Sequence, residues 1–239
     1  LGYRRRLKLR VASAQLGWMR ARVGLPIILT GSAVADSLPQ IPLPFVDYQR
    51  PAPGASGPLI ALVGEAPGAD EVTMGRPFVG RAGQLLDRTL DATGIARERC
   101  LIANVFRYRP PDNKVGHFFT SRRRAISAGE TMVERLGKLG AEYCRAAFAA
   151  EIDALADALH RTGPAVVVAL GRTPLWALTG LNGITALRGR VLPGRLSDAP
   201  VIATFHPSFV MRQNSIGPET EAIFRADLLA ARHLAERQP

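Results

Sequence analysis

Four short runs of apolar, largely β-branched residues mark the chain: Leu59 to Val63, Cys100 to Phe106, Ala165 to Leu170 and Val201 to Phe205. None alternates strictly with polar positions. A continuous apolar run of this length, bounded by turn residues, predicts a strand buried on both faces. Between the runs lie segments of helical period near Arg81 to Thr93, Ala141 to Arg161, Thr173 to Thr179 and Pro218 to Ala235. Strand and helix alternate, which predicts the α/β class: a three-layer α/β/α sandwich around a central four-stranded parallel sheet. In the last helix Ile223, Phe224, Leu228, Ala231 and Leu234 recur at helical spacing, a packing stripe that needs no chemistry to explain it.

Six prolines fall between Ser37 and Pro58. Proline has no amide to donate to a helix or a ladder, so this stretch reads as a linker. The expected division is a basic, proline-rich N-terminal extension over 1–58 and a catalytic domain over 59–239. No internal repeat is visible.

Charge adds a candidate partner. The chain carries 31 Lys and Arg against 20 Asp and Glu, a net charge of +11, which suggests a polyanion such as nucleic acid. The excess is local: residues 1–35 hold seven cations and no acid, and residues 107–124 hold six cations against Asp112. A charge run is as often no more than a solvated face. Two cysteines, Cys100 and Cys144, make neither a disulfide framework nor a four-thiolate site, and imply a reducing compartment. No apolar stretch reaches the roughly 18 to 20 residues of a membrane-spanning helix, so no membrane partner is expected. A cytoplasmic, nucleoid-associated location follows. Arg20 and Arg22 ahead of the apolar run Val23 to Leu29, with Ala33-Val34-Ala35 after it, keep organellar targeting open as the alternative.

In a parallel α/β sheet the ligand crevice lies outside the carboxyl ends of the strands, so the residues following each apolar run carry the most information. The first run ends in Gly64-Glu65-Ala66-Pro67-Gly68-Ala69-Asp70-Glu71, a turn able to present backbone amides together with two carboxylates. The second ends at Asn104, whose amide both donates and accepts, as reading a nucleobase edge requires. The fourth ends in His206-Pro207-Ser208, where an imidazole can donate to a developing anion. Taken singly, each has a plain alternative: a βα loop, a turn-forming Asn, an isolated His.

Together, Gly64-Glu65-Ala66-Pro67-Gly68, then Gly75-Arg76-Pro77-Phe78-Val79-Gly80-Arg81-Ala82-Gly83-Gln84-Leu85-Leu86, then Asn104 with Arg109-Pro110-Pro111, and finally His206-Pro207-Ser208 resemble family 4 of the uracil-DNA glycosylase superfamily. The resemblance runs in order from about Leu59 to Leu234. It implies a base-excision hydrolase that flips uracil out of DNA, cleaves its N-glycosidic bond and leaves an abasic site. Carried over by position, Glu65 and Glu71 lie near the attacking water and the sugar, Phe78 stacks on the base, and Asn104 reads its polar edge. Asn113 matches a further family asparagine, Gly64 and Ala66 belong to the uracil pocket, and His206 bonds to uracil O2. After the His206 turn, Phe209, Val210 or Met211 is expected to fill the vacated stack and Arg212 to hold a phosphate.

The pattern departs from the family in two places. Family 4 enzymes usually hold an iron-sulfur cluster on four cysteines; here the N-terminal pair is missing and the third position is Tyr108, leaving Cys144 as the one match. One thiolate does not hold a four-iron cluster, so a monomeric enzyme without cofactor or metal is expected. The second departure is an insertion of roughly twenty residues, by the family's usual spacing, between Asn113 and Cys144. Loops of this length are often functional or disordered, and Arg122, Arg123 and Arg124 within it are expected to track DNA phosphates. A related branch of the superfamily traps uracil-DNA covalently through a His in such an insertion, which makes a uracil-binding or trapping protein using His117 the alternative. An α/β nucleotide-binding enzyme, the third reading, lacks a Gly-x-Gly-x-x-Gly turn and a P-loop.

Overall fold

The computed structural model describes residues 42–54, 59–214 and 219–238. The basic N-terminal run, the candidate targeting segment and the first part of the proline-rich stretch lie outside the described residues. Along the chain come β1 (Ile60–Gly64), α1 (Ala69–Met74), α2 (Arg81–Thr93), β2 (Cys100–Asn104), β3 (Phe119–Thr120), α3 (Arg122–Ala128), β4 (Met132–Leu139) and β5 (Glu142–Arg145). They are followed by α4 (Ala149–Thr162), β6 (Val166–Leu170), α5 (Arg172–Thr179), α6 (Ile184–Leu187), β7 (Val191–Leu192), β8 (Val201–Thr204), α7 (Pro207–Asn214) and α8 (Glu219–Glu236).

The central sheet has the order β2-β1-β6-β8-β7. The four strands read from the apolar runs are all present and mutually parallel. A fifth, β7, joins the edge antiparallel to β8. It is two residues long, too short to leave a hydrophobic pattern. The pleat divides the strand residues between two cores. Ala61, Val63, Leu101, Ala103, Val167 and Ala169 face one side, against α4 and α5. Ile60, Leu62, Ile102, Val166, Val168 and Ile202 face the other, against α2, α7 and α8. Burial on both faces is why these runs are apolar throughout instead of alternating.

The insertion departs most from expectation. Instead of a loop it forms a three-stranded antiparallel sheet, β3-β5-β4, with α3 between its first two strands. Leu136 and Leu139 of β4 are buried against the first core, and Arg195 fastens the sheet by donating to the Leu136, Ala177 and Trp176 carbonyls. The helix expected from Ala141 to Arg161 accordingly begins only at Ala149, because Glu142–Arg145 pair as a strand with β3 and β4.

Residues 42–54 run beside β2, with isolated bridges from Gln49 to Ile102 and from Phe45 to Tyr108. Arg107 fixes this segment. Its guanidinium donates twice to the buried Glu151 carboxylate at 2.9 Å and stands 5.0 and 5.1 Å from the ring centres of Phe45 and Tyr48. A buried carboxylate held by a two-pronged partner is destabilising to break from one side, on the order of 3 kcal/mol. Arg107→Ala is therefore expected to lower the melting temperature by several degrees, a shift read by thermal unfolding followed by circular dichroism.

Candidate active site

The carboxyl ends of β1, β2 and β8 meet at a cavity of about 220 Å3. Glu65, Ala66, Glu71, Phe78, Asn104, Asn113 and His206, drawn from across the chain, all line it. Gly64, the last residue of β1, does not line it but packs against two residues that do. A Cβ built on Gly64 would stand 2.4 Å from Phe78 Cζ and 2.5 Å from Asn104 Oδ1, so only a glycine lets the ring and the amide close over the strand end. Gly64→Ala is expected to displace both and to destabilise the fold by roughly 1–3 kcal/mol through overpacking, an effect that thermal melts measure.

Phe78 is held where an L-residue rarely sits, at φ 53°, a strained backbone that persists only when its surroundings enforce it. The ring is buried, with its centre 5.9 Å from that of His206. Asn113, also at positive φ, accepts from Arg109 Nε through Oδ1 at 3.0 Å, which leaves its amide N–H groups as donors. Glu71 lines the wall, but both of its oxygens accept backbone amides, Gly68 N–H at 2.9 Å and Gly80 N–H at 3.3 Å. The carboxylate ties the Gly64–Gly68 turn to the start of α2.

His206 has a defined tautomer. Ser208 N–H donates to Nδ1 at 3.1 Å, so Nδ1 is the acceptor and Nε2 carries the proton. Burial pushes the imidazole down to about 4, with the Arg212 guanidinium adding to the shift. The ring is therefore a neutral donor at physiological pH. Glu65 moves the other way: burial raises its carboxyl above the usual range, and Thr173 and Arg172 partly offset that. Thr173, at the start of α5, donates to Glu65 Oε2. It was missed in the sequence, although it follows the third apolar run and the strand-end rule covers that position.

A second cavity, of about 290 Å3, adjoins the first across Glu65, His206 and Ser208, and Arg172, Phe209 and Arg212 border it. The other residues expected to touch DNA are placed less uniformly. Val210 is fully buried, a core residue and not a wedge, and Met211 is half-buried against the same core. Arg122 and Arg124 lie on α3, paired with Glu134 and Glu142 of the small sheet, and Arg123 is exposed beside them. His117 packs edge-on against Phe118 and Phe148, with ring centres 5.7 and 5.6 Å away, and lines neither of these two cavities.

Where the resemblance puts a cluster cysteine, the Tyr108 ring meets Phe45 edge-on at 5.3 Å. Cys144 is buried, its thiol pushed up to about 12 and donating to the Arg145 carbonyl. Two aromatic rings and a neutral thiol do not fit a four-thiolate iron site.

Residues 53–229 match the family model described as the Uracil DNA glycosylase superfamily. The chain is 37% identical over 158 residues to the type-4 uracil-DNA glycosylase of Thermotoga maritima, a match covering 65% of this chain and 68% of that protein. It is 31% identical over 196 residues to that of Pyrobaculum aerophilum, covering 77% and 84%, and 31% identical over 173 residues to that of Archaeoglobus fulgidus, covering 70% and 73%.

Proposed function

The chain belongs to the uracil DNA glycosylase superfamily, and from that premise we propose that it hydrolyses the N-glycosidic bond of uracil in DNA, acting on a flipped nucleotide and leaving an abasic site. The observation that carries this reading is that Glu65, Phe78 and His206 line one cavity, with the Phe78 and His206 ring centres 5.9 Å apart. Cleavage makes the sugar cationic and the departing base anionic, so the site needs negative charge at the sugar and a donor at the base. Glu65 supplies the first and directs a water at the anomeric carbon. His206 Nε2–H supplies the second, at uracil O2. The glycosidic bond breaks with its electron pair on the base, water's oxygen bonds to the sugar, and water's proton ends on the released uracil. Asn104 and Asn113 read the base edge, Phe78 stacks on it, and Glu71 positions the turn without taking part in proton transfer.

The enzyme works as a monofunctional, monomeric hydrolase with no iron-sulfur cluster; elemental analysis of the purified protein is expected to find no stoichiometric iron. Contact with the DNA backbone falls to Arg172 and Arg212, which border the site. Arg122 and Arg124 of the insertion contribute little because each is already paired with a glutamate. Replacing both Arg122 and Arg124 by Ala is expected to change the slope of log affinity against log salt by well under one. Two lost phosphate contacts would lower it by about two.

Single- and double-stranded oligonucleotides carrying one uracil, incubated with the protein and then cleaved with alkali, test the proposal. Strand breaks at the uracil position are expected. Tight binding without breaks, or an SDS-stable adduct lost in His117→Ala, would replace turnover with binding or trapping.

A further inference from the structure

We infer that Thr173 is a positioning residue whose hydroxyl holds one oxygen of the Glu65 carboxylate, so that the other meets the attacking water in a single orientation. The inference rests on the role given to Glu65 above. Thr173 is the second residue of α5, wholly buried, and lines neither the base cavity nor the one beside it. It has no surface to offer a substrate. Whatever its hydroxyl does for the reaction, it does through the carboxylate it touches.

At the second position of α5, Thr173 has no carbonyl one turn back in its own helix to donate to. Thr73, Thr89, Thr93 and Thr179 each donate to a carbonyl one turn back in their own helices, the usual local partner for this side chain. Thr173 instead reaches across 108 positions of sequence to Glu65. The turn before it makes that reach possible. Gly171 adopts φ 102°, and a Cβ there would stand 3.1 Å from His206 Cβ, so β6 passes into α5 close against the site.

A hydrogen bond donated to a carboxylate favours its charged form and restricts its rotation. Glu65 needs both, since burial raises its proton affinity and Thr173 is the largest influence acting against that, ahead of Arg172 on the same helix. The other charged or titratable groups on the two cavities it lines are His206 after β8, Glu71 on α1 and Arg212 on α7. All of them stay in place when the Thr173 hydroxyl alone is removed. A buried threonine that served only packing would tolerate valine, which has the same shape.

The test is single-turnover uracil release from an oligonucleotide, followed from about pH 5 to pH 9, for wild type, Thr173→Val, Thr173→Ala and Thr173→Ser, with a melting temperature for each. The hydroxyl-free variants are expected to lose about tenfold in the saturated rate with half-saturation within about twofold of wild type. The acid limb of their profiles is expected to move up by about half to one pH unit. Thr173→Ser is expected to restore both. An unmoved acid limb and an unchanged rate in whichever hydroxyl-free variant folds would overturn the inference, as would a Thr173→Ser enzyme as slow as Thr173→Val. Failure of the wild type to release uracil would instead overturn the glycosylase reading, and with it the role of Glu65.

Discussion

His206→Ala is expected to slow uracil release by about 100-fold to 1000-fold while leaving DNA affinity nearly unchanged, the effect typical of removing a single donor to a developing oxyanion. The geometry makes the donor neutral. The backbone N–H of Ser208 occupies Nδ1, and burial holds the imidazole near 4, so protonation plays no part between pH 5.5 and 7. His206 should therefore contribute no limb near 6.5 to wild-type release, where a free histidine titrates, and an NMR titration of the His206 ring should find its midpoint near 4. Stability follows with the same sign. Between about 6.5 and 4 the unfolded chain takes up a proton that the folded one refuses, so stability is full above 6.5 and falls as the pH drops through that window. His206→Ala removes this part of the acid sensitivity. A wild-type profile that bent at 6.5 and straightened in the variant would mean that the imidazole works as a cation.

How much of this was legible depended on whether each feature was local. The four parallel strands could be read because burial on both faces leaves an unbroken apolar run, and Glu65, Asn104 and His206 because each follows such a run directly. The small sheet could not. β3 has two residues, β4 mixes exposed Glu134 and Arg135 with buried Leu136, and β5 is defined only by its partners. The same non-locality hides how charge is paired: residues 107–124 show six cations against one acid, but Glu134, Glu142 and Glu151 fold back onto Arg122, Arg124 and Arg107. In α8 the apolar stripe was read correctly, yet Asp227 sits within it, buried and accepting from Thr204 at 2.8 Å. Pattern gives no warning of a polar residue whose partner lies on another element.

Glu65→Gln is expected to reduce release by about 1000-fold and, unlike most active-site substitutions, to raise the melting temperature at neutral pH. Both effects have one cause. The carboxylate is needed as a charge beside the sugar, but burial has raised its pKa above the ordinary value, which means that ionising it in the folded state is unfavourable. The stability linked to Glu65 is fully present below about 4.5 and is lost as the pH rises through the folded value. Glutamine keeps the shape, and its amide oxygen still accepts from Thr173, but it never ionises. The variant should therefore melt higher than wild type at pH 7 and level with it well below pH 4.5. The gain separates this residue from Glu71, whose carboxylate accepts two backbone amides. Glu71→Gln presents one of those N–H groups with another donor, so it should melt lower. Equal melting temperatures for Glu65→Gln and wild type at pH 7 would mean that the folded protein does not strain against this charge, and the cavity would then hold its carboxylate by solvation and not by force of the fold.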